Sequence, residues 1–529
     1  MNCFKDFKIF FQGWTIGNCW FAFCLTLIFF GMLYSPFVAS LARGLIILDL
    51  FAYLIFWKKR VSNFKQKIIP LLCLSVLYLL DIVGCLWSND MSGAKESLLH
   101  DYNFLIIPLF IALYSPIKKN VLTFIIIVYL FLCWLGVVVG SFNYITDNYT
   151  DIRHIVIGTR HIAFAINIAF ATCLLMVYTY RVGRYKKIII PIIIWQLAFL
   201  TIAQMISGLV ACVVFVFISV VYLFFTYRNK VNTCLFVSFV LFFALSLGWL
   251  AKEYNNYFTP KEDFMGNRQI KTKEGNFYKG EDDGFIENGY LVNNYVCDKE
   301  VEKQWQKQTG FSLYTPTRDS FYLCSDVIYR YLNSKGLHKD AEGVKQLSQK
   351  DIDNIKNGIA NIVYTEKYSL RPRLYQTFFE FERFNNGQEV NDKSLIQRIV
   401  MTQAAFKVIN KSPLIGMGTG AERTHLQKQI LLDYPTLTEK KIDPHNQFVY
   451  IMLNFGIVGL VCFILASCYP VIKLKLWQND YFICFALVLV CYMLTESCLR
   501  MMAGEIFFSV FFSMLIFNND SVKQFFLNR

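Results

Sequence analysis

Long apolar segments alternate with short polar ones along most of the chain. Each apolar run is about 17–25 residues long, which is enough to cross a bilayer as a helix. The run 188–226 is too long for one span, so we divide it near Gln204–Gly208 into a hairpin. The pattern predicts about twelve transmembrane helices, near residues 14–33, 37–57, 68–87, 102–115, 120–141, 156–180, the two halves of 188–226, 231–251, 447–470, 480–497 and 503–517.

Lysines and arginines fall mainly in every second loop between these helices. One such loop contains Lys58, Lys59 and Arg60, and another contains Lys186 and Lys187. Short cytoplasmic loops of membrane proteins are enriched in basic residues. The distribution therefore predicts that both termini are cytoplasmic and that residues 252–446 lie outside the cytoplasm.

The composition agrees with a membrane protein. Hydrophobic residues make up 55% of the chain and charged residues only 17%, where a soluble domain has about 25%. The net charge of +14 follows from the basic loops, and these residues do not gather on one soluble face as nucleic-acid binding requires. The 16 cysteines lie mostly in apolar runs, without the paired spacing of a zinc site. We expect an all-α polytopic membrane protein with no nucleic-acid partner and no metal.

The segment before the last three spans differs from the rest in composition. It is rich in charged residues, Asn and Gly, but it also contains aromatic residues for a core, which predicts a mostly helical globular insert. If this insert is extracytoplasmic, Cys297 and Cys324 could form a disulfide. The aromatic residues expected in its core are Trp305, Phe321, Tyr329 and Phe378. The expected domains are residues 1–251 with nine spans, the insert 252–394, a loop 395–446, and residues 447–529 with three spans and a tail.

A helix is predicted at the end of the insert. Apolar residues recur at helical spacing from Leu395 to Ile409, and Pro413 stops the helix soon afterwards. We expect this helix to lie along the outer membrane surface, with Arg398 on or beside its polar side.

A glycine-rich turn and a His-Asn pair precede the tenth predicted span. Gly416 and Gly418 permit positive φ and close backbone approach, and exposed amides in such a turn could receive phosphate oxygens. His445 and Asn446 lie at the mouth of the span, where lipid-linked substrates present their reactive end. Imidazole ordinarily titrates near about 6.5, which suits a general base. The same residues also fit a loop histidine without a role and glycines that only pack helices.

The spacing of this segment resembles the O-antigen ligase and polymerase superfamily of lipopolysaccharide assembly. In those ligases a His followed by Asn, Ser or Gln, then nine residues and Gly-x-x-Gly, marks the last large periplasmic loop. Here His445 and Asn446 are followed by nine residues and then by Gly456 and Gly459. Upstream, Arg398, an aromatic helix and the Pro-Leu-Ile-Gly-Met-Gly run at 413–418 are also similar, as is the twelve-span plan.

The resemblance implies a metal-free glycosyltransferase of the bacterial inner membrane with its active site on the periplasmic face and no cofactor. Its donor would be a glycan on undecaprenyl diphosphate, its acceptor a sugar hydroxyl of lipid A–core, and the lipid bilayer its surroundings. Arginine suits the diphosphate because it binds phosphate oxygens in pairs and stays charged. We expect His445 and Arg398 to be catalytic, and Arg160, His161, Arg500, Arg43, Asn446, Gly416 and Gly418 to be candidates for substrate binding.

The sequence departs from the family at one arginine. The family has a second arginine in the short outer turn between the seventh and eighth spans, whereas Gln204–Gly208 contains none. Arg160 beside His161, Arg43 or Arg500 could replace it. Each of these arginines also fits an interfacial side chain that reaches toward water.

Several other polar residues have a plain interpretation. Glu496 and Arg500 are four residues apart, so we expect them to pair along the eleventh span. We interpret four histidines without metal-like spacing as structural, namely His100, His154, His338 and His425.

Four functions fit this sequence. A ligase would transfer finished polysaccharide to lipid A–core, and a polymerase of the same superfamily would transfer it to the next carrier-linked repeat. A protein O-oligosaccharyltransferase would transfer it to a Ser or Thr. A lipid-linked glycan transporter belongs to another class, and would more often show internal repeats with paired broken helices. The spacing from His445 to Gly459 favours the ligase.

Overall fold

The computed structural model describes residues 13–55, 64–146, 155–156, 158, 161–227, 229–264, 270–280, 285–318, 323–367, 369–387, 394–435 and 442–522. These residues are mainly α-helical. Their only sheet is an antiparallel pair, β1 (Ile286–Glu287) and β2 (Tyr290–Leu291). The predicted all-α class is therefore confirmed.

Within the described residues, eleven helices precede the insert, and apolar composition accounts for most of them. They are α1 (Ile16–Tyr34), α2 (Pro36–Ile55), α3 (Ile68–Leu74), α4 (Val76–Gly84), α5 (Met91–Asp101), α6 (Asn103–Tyr114), α7 (Lys119–Thr146), α8 (His161–Arg181), α9 (Lys186–Ile202), α10 (Ile206–Tyr227) and α11 (Lys230–Phe258). Side-chain caps fix some of their starts, since Thr15 accepts from the Asn18 amide and Asn229 from the Asn232 amide.

Ten further helices are described, five in the insert and five after it. Those of the insert are α12 (Asp298–Thr309), α13 (Cys324–Ser334), α14 (Ala341–Lys345), α15 (Gln349–Lys356) and α16 (Arg371–Asn385). The others are α17 (Ser394–Ile409), α18 (Glu422–Asp433), α19 (Gln447–Lys473), α20 (Asp480–Thr495) and α21 (Met502–Phe517).

The predicted spans coincide with these helices. Among the described residues, eight helices are long and apolar enough to cross a membrane: α1, α2, α5 with α6, α7, α8, α10, α11 and α19. The pair α3–α4 makes nine if it counts as one span, but it is bent by 62°. The remaining predicted spans are the shorter helices α9, α20 and α21, of 16 or 17 residues. The chain is thus a multi-pass membrane protein.

The chain divides into two compact units. The first comprises Met1–Tyr222, Val400–Pro435 and Glu439–Arg529, and the second comprises Leu223–Ile399 and Thr436–Thr438. The second unit therefore contains helix α11 as well as the insert.

Aromatic side chains form much of the core of the first unit. Phe170 of α8 lies edge-on to Tyr481, Phe507 and Phe511, with its centroid 4.9 Å from that of Phe511. Edge-to-face contacts of this kind add to the free energy gained by burying the rings. Helices α8, α20 and α21 are thereby packed around one centre.

The core of the insert lies between α12, α13 and α15. Trp305 is fully buried there with Tyr331 and Ile355. Of the other predicted core aromatics, Tyr329 and Phe378 are partly buried at the edges of two clusters, and Phe321 lies outside the described residues. Phe378 belongs to a second cluster with Tyr257 at the end of α11.

Cys297 and Cys324 are both buried free thiols in this described part of the insert. The structure therefore does not contain the disulfide that we considered possible. Both thiols behave as small apolar side chains, and burial raises the pKa of each.

Helix α17 ends at Ile409, as predicted from Pro413. Its buried face differs from the expected one, because Leu395 and Phe406 are exposed whereas Val400 and Ala404 are buried. The buried face runs through Ile396, Val400 and Val408 instead, so the spacing of apolar residues alone did not identify it.

Lys339 is a buried cation in the insert. Its amine donates to the carbonyls of Leu291 and Asn294 at 3.0 and 3.2 Å and to Oδ1 of Asn333 at 2.6 Å. Burial lowers the pKa of Lys339 from 10.5 to about 8. Native Lys339 therefore releases its proton at a lower pH than an unfolded lysine.

We expect the stability of the insert to rise with pH because of Lys339. Above pH 8 the unfolded chain still binds a proton that the native chain has released, so the free energy of unfolding increases. By about pH 9.5 the gain should be about 2 kcal/mol, and Lys339→Met should lack it. Hydrogen exchange at the buried amides of α13 in the full chain measures this. Exposed Lys303→Met is the control, and equal pH dependence in both variants would contradict the assignment.

Candidate active site

A break in helix α19 is filled by the glycine-rich turn. Gly456 has φ 64° and ψ −166°, which interrupts the helix between Phe455 and Ile457. The amides of Met417 and Gly418 donate to the carbonyls of Leu453 and Asn454, each at 2.9 Å. In return, the carbonyls of Pro413 and Leu414 accept from the amides of Ile457 and Val458 at 2.9 and 3.2 Å. The turn thus replaces the hydrogen bonds that the break removes from the helix.

Glycines are required where these two backbones meet. A Cβ on Gly416 would lie 2.4 Å from the carbonyl carbon of Asn454, and one on Gly456 would lie 2.2 Å from that of Leu414. Gly418 would approach Ser88 to 2.8 Å. All three have positive φ, which is costly for other residues. The amides of this turn, which we expected to receive phosphate oxygens, are engaged with carbonyls instead.

Asn446 begins α19 and presents His445. The Oδ1 of Asn446 accepts from the amides of Phe448 and Val449, which makes it the N-cap of the helix. His445 precedes it with φ 51°, a conformation that few side chains adopt. The His445 amide donates to Asp443 Oδ1 at 2.8 Å. The cap and this bond together hold the imidazole at the mouth of the helix.

The imidazole of His445 contacts a carboxylate through one nitrogen. Its Nδ1 lies 3.0 Å from Oε2 of Glu496, and side chains of His445 and Glu496 are 25% and 9% exposed. A carboxylate only accepts hydrogen bonds, so Nδ1 carries the proton and Nε2 has a free lone pair. Within the described part of the chain, Nε2 has no hydrogen-bond partner. The pair can therefore accept a proton from a bound hydroxyl.

The turn after α20 forms the other side of the site. Gln447 Oε1 accepts from the Leu499 amide at 2.7 Å, and the Ser497 hydroxyl donates to Asp443. Glu496 lies after the end of α20 in extended backbone, and Arg500 belongs to a 3₁₀ turn, Cys498–Arg500. Pairing of Glu496 with Arg500 along one helix, which we expected, therefore does not occur.

Arg500 joins this turn to helix α18. Its guanidinium lies 3.6 Å from Asp443 and 3.9 Å from Glu422, and 5.4 Å from the centroid of the Tyr450 ring. Glu422 is buried, and burial raises the pKa of its carboxyl while Arg500 opposes that rise. Both ion-pair distances are long, so Arg500 is placed close to the histidine loop without being saturated by carboxylates.

One group among the described residues could hold a metal ion. His100, Asp101 and Glu505 each offer a ligand atom, all within 4.8 Å of one another. The Nδ1 of His100 is already 2.8 Å from Asp101 and 2.5 Å from Glu505, so an ion pair accounts for the same arrangement. His100 therefore has partners that its spacing in the sequence did not indicate.

The structure brings only some of the predicted residues together. His445, Asn446 and Arg500 share one cluster, and Gly416 and Gly418 support α19 within the same unit. Arg43 contacts its own helix and lies 5.5 Å from the centroid of the Tyr102 ring.

The other predicted residues lie elsewhere. His161 begins α8 and is partly buried, while Arg160 lies outside the described residues. Arg398 is on α17 in the second unit, with a partly buried side chain. Glu422 and Tyr450 were not predicted, because Arg500, which lies close to both, is distant in sequence. Asp443 was not predicted either, because its contacts with Ser497 and Arg500 depend on the fold.

The fold and the site define a multi-pass membrane protein with a histidine–carboxylate pair at the mouth of a broken apolar helix. Residues 354–464 match the family model described as O-antigen ligase, and this segment contains the glycine-rich turn, His445 and the break at Gly456. The match confirms the resemblance to the O-antigen ligase superfamily. It also supports a membrane glycosyltransferase of the ligase and polymerase family. No curated protein matches the chain.

We expect Gly456→Ala to destabilise the first unit. The new Cβ would collide with Leu414 and force a strained φ, which should lower the free energy of unfolding by about 2–4 kcal/mol. Gly44→Ala is the control, because a methyl group added to Gly44 in helix α2 would have nothing within 4 Å. Thermal unfolding in detergent compares the two variants. A Gly456→Ala protein as stable as Gly44→Ala would contradict the packing role.

Glu496→Gln should slow turnover without unfolding the protein. A side-chain amide can donate or accept, so it no longer requires the proton to be on Nδ1. The fraction of His445 in the tautomer with an unprotonated Nε2 therefore falls. We expect kcat to fall about 10²-fold or more and KM to change little. Glu496→Asp should recover part of the loss. Equal rates for Glu496→Gln and the wild type would remove Glu496 from the mechanism.

Proposed function

We propose that the protein is an O-antigen ligase. It transfers glycan from undecaprenyl diphosphate to a sugar hydroxyl of lipid A–core at the periplasmic face of the bacterial inner membrane, with both termini in the cytoplasm and without a metal ion. The family match and the apolar helices support the enzyme class. The basic loops support this orientation, in which His445 faces the periplasm.

The observation that carries the proposal is the contact between His445 Nδ1 and Glu496. It leaves Nε2 as an unshared proton acceptor at the mouth of α19, where a lipid-linked donor presents its sugar. The diphosphate is already a good leaving group. The transfer therefore mainly needs a residue that takes the proton from the hydroxyl of the acceptor sugar.

The chemical step requires no group beyond the two substrates and the protein. The acceptor oxygen forms a bond to the anomeric carbon, and the bond from that carbon to the diphosphate oxygen breaks. His445 Nε2 takes the hydroxyl proton, and Glu496 stabilises the resulting imidazolium. The lipid diphosphate leaves with the bonding electrons, and His445 later returns its proton to solvent.

Arginines are proposed to bind the diphosphate. The resemblance gives this role to Arg398, and Arg500 is a second candidate because it lies 3.6 Å from Asp443 in the histidine loop. Paired hydrogen bonds from a guanidinium match phosphate oxygens well. Arg43, Arg160 and His161 stay candidates for further substrate contacts. Asn446 supports the site as a helix cap, and Gly416 and Gly418 support it through the break.

A reconstituted transfer assay tests the proposal. Purified protein in EDTA should transfer glycan from the carrier to lipid A–core, and His445→Ala should lower kcat about 10²–10⁴-fold because the base is lost. Arg398→Ala should lower the rate about 10²–10³-fold if it stabilises the leaving diphosphate. Product formation on lipid A–core is the measurement.

Matched variants make this assay specific. His425→Ala and Arg423→Ala change the same residue types on α18 and should leave transfer unchanged. Glycan growth on the carrier instead of on lipid A–core would identify a polymerase. Transfer that stops in EDTA and returns with a divalent cation would point to the group His100, Asp101 and Glu505. No transfer of any kind by folded protein would favour a transporter.

A further inference from the structure

The insert contains a polar cleft that the proposed chemistry does not use. Its volume is about 600 Å³, within the range of small-molecule sites. All of its lining residues belong to the second unit. They come from the end of α11 and the segment after it, from the turn between β1 and β2 and the first residue of β2, from the end of α13 and the turn after it, and from residues 362–366 and the start of α16.

Hydrogen-bonding groups dominate the lining of this cleft. Asn256 contributes an amide, and Ser334 and Thr365 contribute hydroxyls that donate to nearby backbone carbonyls, while Tyr290 and Tyr375 contribute aromatic rings. Only Ile362 and Val363 are aliphatic. Such a surface suits a ligand with many hydroxyl groups rather than a lipid tail, because an apolar ligand would leave these polar groups unpaired.

Two lining groups are available to a ligand. Among the described residues, the Asn256 amide and the Tyr290 hydroxyl have no hydrogen-bond partner. In contrast, Tyr375 and Arg371 are held by Glu253, with hydrogen bonds of 2.9 and 3.1 Å. The back of the cleft is therefore fixed by internal bonds, and its open groups lie on α11 and β2.

One cation of the cleft is left for an anion. Three cations and the carboxylate Glu366 line the cleft. Two of the cations are paired with carboxylates: Lys335 with Asp351 at 2.7 Å, and Arg371 with both Glu253 and Glu366. Lys261 is exposed, and among the described residues its amine contacts the Asn288 carbonyl at 2.8 Å and the face of the Tyr290 ring. Its ammonium retains donors that no carboxylate of the described chain satisfies, and an anion can take them.

We propose that this cleft binds an acidic saccharide unit, with its carboxylate or phosphate on Lys261 and its hydroxyls on Asn256 and Tyr290. The ligand class, a glycan, rests on the proposed function, and the cleft would recognise one of the two glycans brought together for transfer. Recognition of sugar in the insert is separate from the proton transfer at His445.

Binding to the full chain in lipid nanodiscs tests the inference. Saturation-transfer NMR would compare glucuronic acid, glucose 6-phosphate, glucose and acetate. We expect saturable binding of at least one acidic sugar, and at least about tenfold weaker binding of glucose and of acetate, because each lacks one of the two recognition elements. The first two probes distinguish a carboxylate from a phosphate as the anion.

Variants locate the binding. Lys261→Gln should weaken acidic-sugar binding about tenfold, and Tyr290→Phe should weaken it less, since only a neutral hydrogen bond is lost. Lys303→Gln on α12 removes an exposed lysine away from the cleft and should have no effect. Equal binding of glucose and the acidic sugars, an unchanged Lys261→Gln, or no binding of either acidic sugar would overturn the inference.

One further variant separates this inference from the proposed function. His445→Ala should bind the acidic sugar as the wild type does. Transfer activity without sugar binding would refute the cleft alone, whereas sugar binding without transfer would refute the ligase alone.

Discussion

The site depends on the pairing between the glycine-rich turn and the break in α19. A broken helix in an apolar environment leaves carbonyls and amides without partners, and each such group costs several kcal/mol. Residues 413–418 supply four backbone hydrogen bonds across this break. The same four bonds satisfy the amides and carbonyls of the glycine-rich segment. The two glycine motifs of the sequence, 40 residues apart, are therefore parts of one structure.

The polar groups around His445 are arranged in a similar reciprocal way. Asp443 accepts from the His445 amide and from Ser497, and it also faces Arg500. One carboxylate thus connects the histidine loop to the turn after α20. Glu496, on the same turn, meets the imidazole itself. Asp443 and Glu496, which are far from each other in sequence, therefore act on the same histidine. Asp443 holds its backbone amide, and Glu496 holds the proton on Nδ1.

Much of the architecture followed from local pattern, whereas the partners of the site residues did not. Apolar length located the helices, Pro413 located the end of α17, and the His-Asn spacing selected His445. Glu496 was placed on a helix with Arg500, because spacing along a chain cannot show that α20 ends one residue earlier. The contacts of His100 with Glu505 and of Arg500 with Glu422 join segments with large separations in sequence. Such contacts depend on packing, which periodicity does not encode.

Helix α11 gives the insert an anchor of its own. With 29 residues it is about 44 Å long, which exceeds the hydrocarbon thickness of about 30 Å. Its last turns carry Glu253, Asn256 and Tyr257, which belong to the insert's own core and cleft. Those last turns are polar and extend beyond the hydrocarbon. Because they are built into the insert, a tilt of α11 would carry the insert with it, so this one helix couples the insert mechanically to the bilayer.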